Sequence, residues 1–222
     1  MHRRSRTAFL LSAAIAAAPL LTACGSGAHP GAAAVVGGER ITVAQLENRV
    51  NEVRAAQRAA TPDRTQYQQV VAQTGALTRN TLNGMVLERV LDQALKDAGV
   101  TVTRKEVQKY RSDLEHEAGG PAALEQAYLQ RYSVAPEQLD ESVRSDVEVQ
   151  KLSAALGADL NTPEGGTVFW EALSKASGKL DVDLNPRYGS WGVDETSGRV
   201  GLLDTKTPWL REVTRTGTQE PA

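Results

Sequence analysis

Apolar residues recur at helical spacing along most of the chain, and residues 81–99 show this pattern most fully. When this stretch is wound at 3.6 residues per turn, its apolar positions form one broad stripe. The stripe consists of Leu82, Met85, Val86, Val90, Leu91, Ala94 and Leu95. It is wider than the seam between two helices requires, so we predict a central helix that contacts several neighbours and stops at Gly99.

Capping and breaking residues divide the rest of the chain into further helices. Thr42 with Gln45, and Thr103 with Glu106, have the spacing of a capping box and predict a helix after each threonine. Four further helices are predicted to start near Asp63, at Pro121, at about Pro136 and at Thr167, the last of them ending at Ser177.

Two short apolar stretches at the ends of this helical region have the character of strands. The first is "AAVVGGERIT", a hairpin pattern that turns at Gly37–Gly38. In the second, Leu180, Val182 and Leu184 alternate with polar residues before a turn at Asn185. We therefore predict a mainly α-helical fold, with a few short strands that pair the two ends of the domain.

The amino terminus reads as an export signal. Three arginines within the first six residues precede Thr7–Leu21, an apolar run without charge that is short for a permanent membrane span. The basic start favours either general or twin-arginine export, and the sequence leaves both routes open. The polar "GSGAHPGA" stretch that follows residue 24 predicts a flexible tether.

The only cysteine of the chain stands at the end of this signal. Leu21–Thr22–Ala23–Cys24 resembles the lipobox of bacterial lipoproteins. The resemblance implies cleavage between Ala23 and Cys24, a diacylglycerol on the Cys24 thiol and an acyl chain on the new amino terminus. It places the protein on the extracytoplasmic face of the cell membrane as a lipid-anchored protein. The alternative is an ordinary signal peptide with a chance cysteine.

Charge excludes one class of partner. Removal of residues 1–23 takes away three of the 25 basic residues and none of the 27 acidic ones, which leaves a net charge of −5. A mildly acidic protein is not attracted to nucleic acid. Aromatic residues are 5% of the chain, so the predicted core is largely Leu, Val and Ala.

The order of the predicted elements is similar to that of a known family. "DAGVTVTRKEV", a helix end followed by a short link and a capped helix, and "VDLNPRYGSW", a returning segment, resemble the amino-terminal chaperone domain of the SurA and PrsA-type foldases. The resemblance covers roughly residues 33–195. It implies a multi-helix chaperone domain whose partners are unfolded or newly exported polypeptides.

The same resemblance argues against catalysis. Two-domain members carry a parvulin-type prolyl isomerase inserted before the returning segment, whereas only about fifteen residues separate Leu152 from Thr167 here. His116 is the only histidine in the region expected to fold, and we interpret it as a surface residue. The sequence has no nucleotide-binding or hydrolase motif and no metal-ligand spacing. We expect no enzyme activity, no metal and no cofactor apart from the covalent lipid.

The domain boundaries and the binding residues follow as hypotheses. We divide the chain into a signal peptide (1–23), a tether (24–32), the chaperone domain (33–210) and a disordered tail (211–222). Aromatic side chains offer a large contact area at low entropic cost, so they are candidates for client binding, with burial in the core as the alternative for each. The candidates are Tyr110, Tyr128, Tyr132, Phe169, Trp170 and Trp191.

Two functions remain open at this point. The first is an ATP-independent chaperone of exported proteins, anchored in the membrane. The second is a scaffold lipoprotein of the cell envelope that binds one dedicated partner. The oligomeric state of the protein is not indicated by the sequence.

Overall fold

A computed structural model describes residues 30–203 of the protein. Cys24, the expected signal peptide, most of the expected tether and the expected tail at 211–222 lie outside these residues. The described part is mainly α-helical with a few short antiparallel strands. Its elements are β1 (Ala32–Val36), β2 (Glu39–Thr42), α1 (Val43–Ala60), α2 (Arg64–Gln73), α3 (Leu77–Asp97), α4 (Arg104–Ala118), α5 (Pro121–Tyr132), α6 (Leu139–Leu156), α7 (Pro163–Leu180), β3 (Asp183–Leu184), β4 (Ser190–Val193) and β5 (Val200–Leu203).

Both predicted capping boxes are present. At the start of α1, the Thr42 hydroxyl accepts from the Gln45 backbone N–H at 3.1 Å, and the Gln45 side chain accepts from the Thr42 N–H at 2.8 Å. The equivalent pair at α4 brings Glu106 to 2.7 Å from the Thr103 backbone nitrogen. These bonds fix the first turn of each helix, so the two starts are where the sequence places them.

Three predicted boundaries are wrong. Helix α3 begins at Leu77, one turn earlier than the apolar stripe suggests, although no side chain caps it. Helix α7 runs from Pro163 to Leu180 instead of 167–177, because Thr162 caps it by accepting from the Gly165 N–H at 3.1 Å. Pro136 opens a separate 3₁₀ turn, and α6 starts at Leu139.

Strand pairing closes the domain as predicted. Strand β1 pairs antiparallel with β2 on one side and with β3 on the other. The Asn185 backbone N–H donates to the Ala33 carbonyl at 2.9 Å, and its side-chain amide donates to the Ala32 carbonyl at 3.1 Å. Strand β3 has only the residues Asp183 and Leu184, so the predicted strand from Leu180 is wrong in its first part: α7 continues to Leu180, and Asp181 ends it in the left-handed conformation.

A second hairpin, β4 with β5, follows the returning strand and was not predicted. Its turn is held by Asp194, whose carboxylate accepts from the Ser197 backbone N–H at 2.7 Å. The hairpin is fixed to α3 because the Asn83 side-chain oxygen accepts from the Leu202 N–H at 2.8 Å. The carboxyl-terminal end of the described chain therefore rests on the central helix.

The main core surrounds α3, as the wide stripe predicts. All seven residues of the predicted stripe are buried. They pack with Ala33, Ala34, Val36 and Ile41 of the first hairpin, Leu46 of α1, Leu152 of α6, Phe169, Leu173 and Ala176 of α7, and Leu184, Tyr188 and Val200 near the end of the domain. Helix α4 packs on α5 and α6 around a smaller apolar cluster that includes Leu124, Tyr128 and Val143. Helix α6 contributes to both clusters, with Leu152 in the main core and Val143 in the smaller one.

We expect Gly165→Ala to destabilise the fold strongly. A Cβ at this buried position would lie 2.0 Å from the Asp159 carbonyl oxygen, so the loop before α7 would have to move. Overpacking of this kind costs about 1–3 kcal/mol, and a backbone obstacle favours the upper end. Urea denaturation followed by circular dichroism measures the loss.

The neighbouring Gly166→Ala is the matched control, since its Cβ would meet nothing within 4 Å. Alanine is the better helix former by up to about 1 kcal/mol, so this variant should be as stable as the wild type or more so. Equal losses in both variants would contradict the close approach at Gly165.

Candidate binding groove

An open apolar cavity of about 520 Å³ lies among α1, α3, α6 and α7. We call it the central groove. It is lined by Arg49, Gly84, Leu87, Glu88, Leu91, Val134, Gln138, Glu141, Ser142, Ser145, Val149, Leu160, Gly166, Phe169, Trp170, Leu173 and Arg199. Its volume falls within the range of natural ligand pockets.

The walls of the central groove are mostly apolar. Phe169 is buried at its base and meets the Trp170 ring edge to face, with centroids 6.0 Å apart. Leu160, in the loop before α7, is 42% exposed, unusually open for a leucine beside a cavity. Ser142 and Ser145 add hydroxyl groups on the α6 side. The groove thus combines apolar contact area with a few groups able to form hydrogen bonds.

A cluster of charged side chains from three helices lies on the groove. Arg49 of α1 donates to Glu88 of α3 at 3.2 Å and also to Glu141 of α6. Burial raises the pKa of Glu88 to about 7, and the nearby Glu141 carboxylate contributes in the same direction, while Arg49 opposes it. Glu88 is therefore partly protonated at neutral pH.

The second hairpin contributes a positive charge to the groove. Arg199 precedes β5, and its guanidinium carbon lies 5.5 Å from the centre of the Trp170 ring. This is within the range of a cation–π contact, which holds the guanidinium over the aromatic face. The groove thus has one arginine stacked on an aromatic ring and another shared by two carboxylates.

The three candidate tyrosines line a different cavity of about 420 Å³, on α4, α5 and α6. Tyr128 is buried, and its hydroxyl donates to the Asp146 carboxylate at 2.7 Å. Burial raises the pKa of both groups. Tyr132 is 58% exposed, and its ring meets Tyr128 at a centroid distance of 5.3 Å. The side chain of Tyr110 is half-buried beside them.

The six candidate aromatics are therefore not brought together. Phe169 and Trp170 lie on the central groove, and the tyrosines lie around Asp146. Trp191 lines neither cavity: its indole N–H donates to the Ser177 hydroxyl at 2.7 Å, and its ring packs against the main core. The role of these six residues in client binding stays a prediction.

Sequence reasoning did not single out the charged cluster or Leu160. Arg49, Glu88 and Glu141 are far apart in the sequence, and each alone resembles an ordinary charged residue on an exposed helix face. Leu160 stands in a polar stretch without periodicity. The one sequence signal for the charged cluster is that Glu88, a charged residue, stands within the apolar stripe of α3.

Comparison of the sequence with known families assigns the chain to one class of protein. The model of the SurA-like N-terminal domain family matches residues 1–153. The chain belongs to this family, and the resemblance expected up to residue 153 is thereby confirmed. The match ends inside α6, so α7 and the strands that follow it lie beyond the matched residues. The expected likeness of residues 154–195 stays a prediction.

No curated protein and no solved structure matches the chain significantly. Within residues 30–203, no helix combines the length and the hydropathy that a bilayer span requires. The same part of the chain holds no group of three or more His, Cys, Asp or Glu side chains arranged for a metal ion.

We expect Glu88 to make stability depend on pH. In the folded state its pKa is about 7, whereas its ordinary value is 4.5, so the folded protein binds more protons between these values. Glu88 therefore destabilises the fold progressively as the pH rises through this window. The unfolding free energy of Glu88→Gln minus that of the wild type should therefore increase by about 1–3 kcal/mol as the pH rises from about 5 to about 8.

Urea denaturation of both proteins at several pH values measures this difference directly. Comparison of the variant with the wild type cancels the contribution of the other titrating groups, including carboxylates such as Asp159 and Asp194 whose pKa is lowered. A difference that stays flat across the window would contradict the burial of Glu88 described above.

Proposed function

We propose that this protein is an extracytoplasmic lipoprotein that binds unfolded or newly exported polypeptides as an ATP-independent chaperone. The observation that carries the proposal is the central groove, an open apolar cavity in a chain of the SurA-like N-terminal domain family. Open apolar grooves rimmed by polar residues are typical of binding surfaces. Binding of this kind requires neither a nucleotide nor a catalytic group, and we propose that the protein has no enzyme activity.

The groove suits an extended chain with apolar side chains. Among its lining residues, Leu87 and Val149 are half-buried and offer aliphatic contact, and the half-buried Trp170 offers a flat surface. Ser142 and Ser145 supply hydroxyl groups that can bond to the backbone of an extended segment. Contacts of this kind recognise apolar segments without requiring a fixed sequence.

The expected affinity is weak enough for release. Burial of a Leu or Phe side chain contributes about 1.5–3 kcal/mol, and a cavity of about 520 Å³ accommodates only a few such side chains. The cost of association offsets much of this gain. We therefore expect dissociation constants of about a micromolar or weaker, so a bound client can leave and fold.

The lipid anchor determines where this binding takes place. In our proposal Cys24 carries the lipid, eight residues before β1 begins at Ala32. A segment of this length spans at most roughly 25–30 Å. Two or three acyl chains anchor a protein stably, so the groove would remain close to the membrane surface where exported chains emerge.

We expect a soluble chain that begins at Gly25 to suppress the aggregation of several unrelated unfolding proteins near equimolar ratio without nucleotide. Leu160→Ser should weaken this suppression several-fold, because it removes an exposed apolar contact of the groove. Val168→Ser is the matched control: Val168 is 43% exposed on α7 and does not line the groove. Light scattering of the client measures the effect.

The outcomes separate the two functions that the sequence leaves open. Suppression of many clients, lost in Leu160→Ser and kept in Val168→Ser, would support the chaperone. A well-folded protein that protects none of them would contradict general chaperone action. A single tight partner, captured at the membrane through the groove, would then favour the scaffold lipoprotein of the cell envelope.

We also expect Cys24→Ser to abolish lipid attachment, because without its thiol the chain cannot receive a diacylglycerol. Mass spectrometry of the amino-terminal peptide of the membrane-bound protein tests this. The wild type should begin at Cys24 and carry the lipid there, whereas the variant should carry none. A wild-type protein whose Cys24 carries no lipid would contradict anchoring through Cys24.

A further inference from the structure

The charged cluster of the central groove has more negative than positive groups. A single guanidinium, that of Arg49, forms ion pairs with both Glu88 and Glu141. When both are ionised, the cluster carries one uncompensated negative charge. With Glu88 ionised, Arg49 balances the charge of only one of the two carboxylates, and a cation from outside the chain would balance the other.

Both carboxylates remain reachable from the groove. The side chain of Glu141 is 48% exposed and that of Glu88 is 31% exposed, and both line the cavity. Gln138 also lines the groove, and its amide donates to the backbone carbonyl of Arg49 at 3.0 Å and to Glu52 at 2.7 Å, which fixes the α1 backbone beside the cluster. Because the side chains of Glu88 and Glu141 are partly exposed, a cation that enters the groove can approach them.

We propose that the groove selects apolar segments that carry a lysine or arginine, and that the basic side chain binds beside the carboxylates of Glu88 and Glu141. This inference rests on the function proposed above and narrows its substrate class. The apolar walls hold the neighbouring side chains of the client while the glutamates hold the charge. Specificity then comes from charge complementarity, and general affinity comes from apolar contact.

Charges on the remaining elements are consistent with this assignment. Facing the groove, α1 contributes Arg49, α3 contributes Glu88, α6 contributes Glu141 and the second hairpin contributes Arg199. Arg199 lies over the Trp170 ring, on a different wall from the glutamates. An incoming basic group is therefore attracted to the α3–α6 side of the groove and repelled from the hairpin side.

The selectivity should be modest and should increase with pH. Partly exposed ion pairs typically change affinity by a few-fold, so we expect about fivefold tighter binding of a basic segment than of its neutral counterpart at about pH 8. Below neutral pH the uncompensated charge is reduced because Glu88 takes up a proton. The preference should then fall towards twofold or less at about pH 6.

The test compares two fluorescent peptides that share one apolar segment and differ in a single terminal residue, lysine in one and glutamine in the other. A second pair carries the same substitution at the opposite end, because the direction of a bound chain is free. Fluorescence anisotropy measures binding to residues 24–222 that carry Cys24→Ser, so that no attached lipid competes for the groove. This comparison needs no change in the groove itself.

Variants of the groove then test whether Glu88 and Glu141 cause the preference for the lysine peptide. Glu88→Gln and Glu141→Gln should each reduce the ratio of the affinity for the lysine peptide to the affinity for the glutamine peptide to about twofold or less. Asp113→Asn is the matched control: it also removes one negative charge, but Asp113 pairs with Lys109 on the exposed surface of α4. Thermal melts confirm that each variant is folded.

The outcomes distinguish this inference from the function on which it rests. Equal binding of the lysine and glutamine peptides would overturn the basic-residue preference and leave the chaperone intact. An advantage of lysine that persists in both glutamate variants would also overturn it. If neither peptide binds and the aggregation of clients is not suppressed either, both the inference and the proposed function fail.

Discussion

Helix α3 packs into the main core with one part of its surface and lines the central groove with another, and the rest of the domain is arranged around it. Leu82, Val86 and Val90 are fully buried in the main core. On the same helix, Leu87 and Glu88 line the central groove. One helix therefore supplies both the core and one wall of the groove, so the position of the groove is fixed by the packing that stabilises the fold.

The opposite wall of the groove is formed by α7 and the second hairpin, which follow α6 in the sequence. Helix α7 carries Phe169 and Trp170, and it is held against α3 by the main core. The second hairpin is attached to α3 through Asn83 and places Arg199 over Trp170. These elements follow residue 153, where the family match ends. The groove therefore combines a wall from the matched part of the chain with a wall from beyond it.

Sequence reasoning predicted the elements whose signals are local. The capping boxes at Thr42 and Thr103 and the stripe of α3 each lie within a few turns of chain, and the structure agrees with all of them. The second hairpin was missed because its strands are only four residues long and each contains a glycine, Gly192 in β4 and Gly201 in β5. The start of α7 was missed because Gly165 and Gly166 weaken helix propensity, while the Thr162 cap and the contact with Asp159 outweigh it.

The groove itself could not be derived from residue types, because apolar residues that line a cavity and those that fill a core have the same periodicity. Its charged cluster gives a clearer physical signal once the helices are placed. A half-buried carboxylate such as Glu88 lowers stability at neutral pH, and apolar replacements of buried ion pairs are often more stable. With Glu88 and Glu141 both paired to Arg49, the domain is less stable than it would be with Leu or Met at these positions. That loss has a physical rationale if the second carboxylate meets a cation brought by the client.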